Sequence, residues 1–311
     1  MAINTIQFAE ILMKTLDQAA VQQMCTGWMD ANAGQVKYTG GNEVKIPTIA
    51  TQGLGDYGRR GADGVTVGTG FADGSVTLSY QTYNMTQDRG RKFGLDRHDV
   101  DESNFITTAT QVMGTFQTEH VIPEIDAYRI SKLATTAIDL GTMVEDGYTA
   151  SASDIIAKIK KGIKDIRKQG YNGSLICMAT FDAIMELELA MLGKLASTSF
   201  SQGGINTTCP SIDGVPVVAV PDNRMYTAIT LNDGRTTGQE AGGYAKGATA
   251  KDINFMIMPT STPIAVTKQD NMRIFTPDVN QQADEWSMDY RRYHDLWVLN
   301  NKKSSIYLNT K

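Results

Sequence analysis

A histidine and an aspartate are adjacent near the end of the chain, at His294 and Asp295, and these residue types can transfer protons in an enzyme. The surrounding segment from Trp286 to Tyr307 is predicted to be β-structure, and neighbouring side chains of a strand point to opposite faces. The sequence has only three histidines, and no G-x-S-x-G elbow or cysteine–histidine signature accompanies this pair. We therefore predict no catalytic residues and no enzymatic activity.

A second group of potential ligands consists of His98, Asp99, Asp101 and Glu102, which offer nitrogen and carboxylate oxygen atoms to a metal ion. Adjacent residues on a loop rarely converge on one ion. The carboxylates also stand where a helix is predicted to begin, at the end of the helix dipole that favours negative charge. Helix initiation is the better explanation of this cluster, and we predict no metal site.

The segment Gly53-Leu-Gly-Asp-Tyr-Gly58 matches the G-x-G-x-x-G pattern of dinucleotide-binding proteins. That pattern binds a pyrophosphate only where a helix begins directly after the strand. Here it continues into Arg59-Arg-Gly-Ala-Asp-Gly64, which interrupts a helix, so the segment is interpreted as a loop. We predict no cofactor, and a nucleotide-binding enzyme is only a distant alternative.

The charge balance argues against a typical nucleic-acid-binding domain. The chain has 29 Lys and Arg against 34 Asp and Glu, whereas proteins that bind phosphates usually carry a basic excess. One predicted helix has a basic side, formed by Lys158, Lys160, Lys161, Lys164, Arg167 and Lys168. A solvated face opposite an isoleucine stripe is the simpler explanation, and a local contact with nucleic acid is the alternative.

Cys25, Cys177 and Cys209 lie far apart without a C-x-x-C pair, which argues against a disulfide framework and a thiolate zinc site. The first residues have no basic lead-in, and Glu10 interrupts their apolar stretch, so we expect no signal peptide. The apolar runs are far too short for a membrane span. These features predict a soluble protein made in the cytoplasm.

Hydrophobic periodicity predicts helices in the first half of the chain and a hairpin between them. Residues 1–32 have apolar residues at helical spacing, and from Asp101 to Ala137 the same period predicts a long helix that Pro123 should kink or split. Strands at 43–49 and 76–85 flank a stretch with eight glycines in the 22 residues from 53 to 74. This order predicts a large hairpin with little apolar cover, and a loop of this length inside a compact domain usually has a function.

Shorter elements alternate in the second half. We predict a helix over 153–170 with Ser153 as N-cap, a strand at 174–178, a helix over 180–192 with Phe181, Ile184, Met185 and Leu189 as its apolar positions, and strands at 215–220, 254–258, 264–267, 273–275 and 286–307. The glycine-rich segment 236–247 is interpreted as a loop. Together these elements predict an α+β or mixed α/β fold.

Three segments then combine in one order: Glu119-His-Val-Ile-Pro-Glu-Ile-Asp-Ala-Tyr-Arg129, Ser211-Ile-Asp-Gly-Val-Pro-Val-Val-Ala-Val-Pro-Asp222 and Asp289-Tyr-Arg-Arg-Tyr-His-Asp-Leu-Trp-Val-Leu-Asn-Asn-Lys302. This arrangement resembles the major capsid proteins of tailed bacteriophages, whose shared fold is of the Hong Kong 97 type. The resemblance covers nearly the whole chain and depends on the joint order of the segments, because none of them is an invariant motif.

The resemblance implies five regions. They are an N-terminal arm (1–40), an extended loop (41–92), a peripheral domain with a long spine helix (93–150), an axial domain (151–263) and the returning strands of the peripheral domain (264–311). Many copies would assemble into hexamers and pentamers and form an icosahedral shell around double-stranded DNA. The shell would lie in the virion and assemble in the cytoplasm of the bacterial host.

The resemblance also implies partners. We expect a portal protein and a separate scaffolding protein, because no fused scaffolding segment is evident before the arm. A decoration protein is a further candidate partner. Contact with the packaged DNA is expected to be weak and non-specific, and no membrane contact is expected. An encapsulin-like bacterial nanocompartment shell, which shares the fold but encloses enzymes, is the nearest alternative.

No lysine occurs between Lys45 and Lys92, so the segment from Thr48 to Arg91 has no amine donor for the lysine–asparagine cross-link of some related capsids. We therefore expect assembled particles to be held by non-covalent contacts. Boiled particles on a denaturing gel should give one band at the monomer mass. A ladder of heavier bands would contradict this expectation and direct attention to donors such as Lys37 or Lys302.

Overall fold

The computed structural model describes residues 24–35, 43–55, 57, 70–71, 73–96, 105–191, 196–202, 205–280 and 284–311. The chain divides into two compact units, a smaller one from Gly34 to Met85 and a larger one that contains the residues on both sides of it. The five regions implied by the resemblance stay predictions.

The smaller unit contains an antiparallel hairpin of two strands, β1 (Glu43–Thr51) and β2 (Val76–Asn84). The pairing runs without interruption from Glu43 opposite Asn84 to Thr51 opposite Val76. Valine, isoleucine, threonine and tyrosine make up most of both strands, and these side chains fit a pleated surface. Both strands predicted around the glycine-rich stretch are confirmed.

The larger unit mixes helices and strands. Its α-helices are α1 (Phe105–Phe116), α2 (Ile122–Leu140), α3 (Ile155–Lys168) and α4 (Phe181–Ala190). Its strands are β3 (Gln87–Asp96), β4 (Val144–Glu145), β5 (Leu175–Thr180), β6 (Ala196–Gln202), β7 (Ile205–Ile212), β8 (Val215–Val220), β9 (Ile229–Leu231), β10 (Tyr244–Lys246), β11 (Ile253–Pro259), β12 (Pro263–Phe275), β13 (Glu285–Val298) and β14 (Tyr307–Thr310). Short 3-10 helices cover Gly27–Gln35, Asp222–Arg224 and Asn300–Ser305.

A seven-stranded sheet with the order β4-β14-β11-β5-β8-β7-β6 forms the centre of the larger unit. Alternate residues of β5 enter two different cores, because Ile176 and Met178 pack with α2 whereas Cys177 packs with α3 and α4. All six residues of β5 are therefore buried. This arrangement explains why the strand is a continuous apolar run in the sequence, as is typical of strands that are covered on both faces.

The long helix is continuous from Phe105 to Leu140, but its regular period is interrupted. Residues Gln117–Val121 form a π-helical turn, in which the amide of Ile122 donates to the carbonyl of Gln117. Pro123 follows in the first turn of α2, where its missing N–H costs little. The predicted interruption at Pro123 is confirmed, and it takes the form of a π turn, a common way to accommodate such a break.

A second sheet of three strands, in the order β12-β13-β3, corrects three sequence predictions. No strand is predicted from the sequence over residues 87–96, and the structure has one there, paired with β13. The strands predicted at 264–267 and 273–275 are one strand with an irregularity between Thr267 and Gln269. The strand predicted over 286–307 ends at Val298, and a 3-10 helix separates it from β14.

Smaller corrections concern element ends. The residue before α3 is Asp154 rather than Ser153, α4 ends at Ala190, and residues 244–246 of the predicted loop pair with β9. The helix predicted over 1–32 falls mostly outside the described residues, and its described end is a 3-10 helix rather than an α-helix. Gly170 ends α3 as predicted, because its φ of +87° lies in the region that glycine adopts without strain.

A buried carboxylate fixes the segment from Met24 to Asp30 onto α2. Asp126 is fully buried and accepts hydrogen bonds from the amides of Cys25 and Thr26 at 3.0 and 3.1 Å. It also accepts from Arg224 Nη1 at 2.8 Å, so its charge is paired. One helix turn later, the fully buried Arg129 donates to the carbonyl of Thr26 and forms two bonds with the carboxylate of Asp30.

We predict that Asp126→Ala lowers the free energy of unfolding by about 3–5 kcal/mol, because it leaves Arg224 and two buried amides without their partner. The matched control is Asp182→Ala, which removes an exposed ion pair with Lys311 and should cost less than about 1 kcal/mol. Urea titration of both variants measures the difference. Equal losses in the two variants would show that the buried carboxylate does not hold this segment.

Candidate assembly surfaces

The structure separates the two residues of the potential catalytic pair. Asp295 is fully buried and accepts from the amide of Thr86 at 2.9 Å, the hydroxyl of Tyr128 at 2.8 Å and Lys132 Nζ at 2.9 Å. The ring of His294 instead packs edge-on against Tyr128, with 5.8 Å between ring centroids. Burial and the surrounding arginines hold the pKa of His294 well below its usual value, so the ring is neutral at physiological pH.

Two of the three cysteines are also unsuited to act as nucleophiles. Burial raises the pKa of the Cys177 thiol to about 12, and burial together with the nearby Asp126 carboxylate raises that of Cys25 to about 12, so neither is a nucleophilic thiolate near neutral pH. In the described part of the chain, no three His, Cys, Asp or Glu side chains cluster to hold a metal ion. The predicted helix-start cluster from His98 to Glu102 lies outside the described residues.

The glycine motif does not occupy the position that a dinucleotide site requires. Residues 52–55, which contain Gly53 and Gly55, follow β1 without forming a helix. The rest of the motif, Asp56 and Gly58, lies outside the described residues.

The basic side of α3 is partly neutralised by acidic neighbours. Lys158 and Lys161 both bind the carboxylate of Glu145, which also accepts from the hydroxyl of Tyr307 at 2.5 Å. Partial burial opposes ionisation of Glu145, but these hydrogen bonds prevail and lower its pKa to about 2. Lys160 pairs with Asp213 at 3.2 Å. The exposed Lys164, Arg167 and Lys168 are left as a basic patch at the end of the helix.

One face of the hairpin exposes an apolar ladder. Tyr80 is opposite Pro47, Leu78 is opposite Ile49, and Val76 is opposite Thr51. Because cross-strand partners and every second residue share a face, these side chains lie together. Ile49 is 66% exposed, Leu78 54% and Val76 72%. An isolated two-stranded hairpin is marginally stable in water, so this apolar face predicts a contact with another surface.

The tip of the hairpin adds to the exposed apolar surface. Leu54 is fully exposed, and Tyr57 and Phe71 are exposed although their rings pack edge-on at 4.8 Å. The sequence predicted a hairpin with little apolar cover, and the described residues confirm that prediction. It missed the segregation of the apolar side chains onto one face, which the alternation Val76, Leu78 and Tyr80 indicates.

A second apolar surface lies on α4. Of the four apolar positions named from the sequence, only Ile184 is buried, together with Ala183 and Leu187. Phe181, Met185 and Leu189 are each at least half exposed. The three residues are spaced four apart and therefore form one stripe along the outer side of the helix.

The described helices include none that is both long and apolar enough to cross a membrane. No protein-family profile matches the chain, and no curated protein sequence does so.

Solved structures, by contrast, are similar over most of the chain. A structure from Mycobacterium phage Bobi has 12% sequence identity and a TM-score of 0.58, and the match covers 91% of this chain and 89% of that chain. The asymmetric unit of the bacteriophage PhiM1 mature capsid has 13% identity and a TM-score of 0.56, with 87% and 82% covered. The capsid structure of the cyanophage P-SCSP1u has 11% identity and a TM-score of 0.55, with 87% and 83% covered.

These matches show that the chain has the mixed helix-and-strand fold of phage capsid structures. The fold class predicted from the sequence is confirmed. At 11–13% identity the similarity shows the fold of the chain and does not by itself define its role.

We predict that Leu78→Lys abolishes self-association of the chain while leaving its circular dichroism unchanged, because the side chain is exposed in the single subunit but lies in the apolar ladder. Ser79→Lys is the matched control, since it adds the same charge to the next residue, on the opposite face of β2. Sedimentation velocity compares the two variants. If both assemble like the unaltered chain, the ladder is not an assembly surface.

Proposed function

We propose that the chain is a structural subunit of an icosahedral bacteriophage head, which self-assembles into hexamers and pentamers around double-stranded DNA. The observation that carries this proposal is the shared fold, because it extends over more than four fifths of both this chain and the PhiM1 mature capsid subunit. A fold alone does not define a function. Two features of this chain add independent support.

The first feature is the apolar ladder of the hairpin. Burying one such aliphatic side chain contributes on the order of 1.5–3 kcal/mol. Contact with a neighbouring copy would bury these exposed side chains and so stabilise the assembly. Copies of one chain that bind through non-identical surfaces close into rings when the rotation permits, and hexamers and pentamers are such rings.

The second feature is the chemistry of the described candidate groups. His294 is neutral and buried, Asp295 is held by structural hydrogen bonds, and Cys25 and Cys177 are protonated. These properties support a structural role over an enzymatic one.

The partners of the proposed shell follow from its charge and its role. With a net charge of -5, the subunit would contact DNA only locally, and the patch of Lys164, Arg167 and Lys168 is the place we propose. A portal protein, a scaffolding protein and a decoration protein are further proposed partners. We place assembly in the host cytoplasm and the finished shell in the virion.

The test is assembly of the purified chain, alone and with the scaffolding protein of the same phage. Light scattering should detect particles far heavier than one subunit, and negative-stain electron microscopy should show closed shells. A chain that stays monomeric at every concentration and salt with scaffold present would refute the proposal. Native particles should contain double-stranded DNA, whereas particles filled with an enzyme would establish the nanocompartment alternative.

A further inference from the structure

A groove of about 700 Å³ lies between α4 and the strands β6, β7 and β8 at one end of the seven-stranded sheet. Phe181 and Met185 line it from α4, Phe200 and Cys209 line it from β6 and β7, and Trp28 adds an aromatic ring. The lining is mostly apolar and includes an adaptable methionine side chain. Grooves of this kind bind the apolar face of an amphipathic helix in other proteins.

The charged side chains of this surface have one sign. Among the described residues that line the groove, Asp182 and Glu188 are the only charged ones. Glu186 is the remaining ionisable residue of α4, so the helix has carboxylates but no lysine or arginine. Asp182 pairs with Lys311 at 3.1 Å, but both side chains are exposed, and a bound partner can replace such a pair at little cost. The surface therefore favours a positively charged partner.

The carboxylates border the apolar stripe of α4 on both sides. At 3.6 residues per turn, Met185 is at the centre of the stripe, with Phe181 and Leu189 roughly 40° to either side of it. Asp182 lies roughly 60° from Met185 in one direction and Glu188 roughly 60° in the other. The stripe is about 12 Å long at 1.5 Å per residue, which matches a little more than two turns of a bound helix.

This geometry specifies the chemistry of the bound helix. Its apolar residues would contact the stripe, and lysine or arginine would stand on both sides of them. The aliphatic stems of lysine and arginine cover apolar surface while their charged groups reach outwards. Each charged group would then form a hydrogen-bonded ion pair with a carboxylate beside the stripe.

The described helices of a second copy do not offer such a face. The basic helix α3 buries its apolar residues in its own subunit, and α1 contains no lysine or arginine. The exposed apolar residues at the end of α2, Ile138 and Leu140, have Asp139 between them, which the carboxylates of α4 would repel. A helix of another protein is therefore the occupant that the charges favour.

We propose that the groove beside α4 binds a basic amphipathic helix of another protein, with its apolar side chains on Phe181, Met185 and Leu189 and its cations beside Asp182 and Glu188. The surface belongs to the single subunit, so this inference does not depend on the proposed shell function.

The test uses two fluorescently labelled helical peptides with leucines spaced four apart, flanked on both sides by lysine in one peptide and by glutamate in the other. Fluorescence anisotropy measures their binding to the full chain. The lysine peptide should bind and the glutamate peptide should not. Leu189→Gln removes an apolar contact and Glu188→Lys reverses a flanking charge, so each should raise the dissociation constant of the lysine peptide about tenfold.

Ile138→Gln and Asp139→Lys are the matched controls, because they make corresponding changes at exposed residues of α2 outside the groove. Both should leave binding unchanged. Circular dichroism checks the fold of every variant, and Glu188→Lys, at an exposed position, keeps the test decisive if Leu189→Gln unfolds.

Three outcomes would overturn the proposal. Equal binding of the two peptides would show that charge does not select the partner. Equal losses in the groove variants and the control variants would show that the peptide binds elsewhere or through net charge alone. If Leu189→Gln abolishes self-association of the chain and the lysine peptide does not bind, the occupant is a second copy.

Discussion

The buried polar contacts between α2 and the segment from Met24 to Asp30 are the constraint on which the larger unit depends. Asp126 and Arg129 are both fully buried, and an unpaired charge there would cost several kilocalories per mole. Their pairing therefore specifies one path for the backbone that carries Thr26 and Asp30. Asn32 continues this path by donating to the carbonyls of Thr260 and Pro263. These bonds join residues of the larger unit that are distant in the sequence.

The larger unit has continuous apolar cores, whereas one apolar face of the hairpin in the smaller unit is exposed. The seven-stranded sheet is covered on both faces, and its central strand is fully buried. The hairpin has no such cover over Ile49, Val76 and Leu78. In the proposed shell, a subunit of this kind would fold before it meets a neighbour and would still carry apolar surface for association.

The sequence predicts those elements whose packing follows from local periodicity. The isoleucine stripe of α3, the alternating strands of the hairpin and the apolar run of β5 are examples. Sequence patterns did not predict β3. This strand is rich in charged residues and is stabilised by residues distant in the sequence, as in the bidentate pair of Asp88 with Arg291. The turn between β7 and β8 has a local sequence signal: Asp213-Gly214 adopts positive φ at both residues, a combination that favours a tight hairpin.

The exposed apolar surface of α4 also depends on residues distant in the sequence. Periodicity identifies the apolar residues of α4 but not which of its two apolar sides meets the core, because that choice depends on the sheet packed beneath it.

In the proposed shell, the segment from Thr48 to Arg91 offers no amine for covalent closure, since it contains no lysine. Each contact through the ladder would then be modest, on the order of a few kilocalories per mole. A closed shell repeats that contact between every pair of neighbours, so dissociation of one subunit requires several contacts to break together. Weak contacts of this kind also allow incorrect ones to be released before closure. The exposed apolar face is therefore adequate for a durable particle without chemical cross-links.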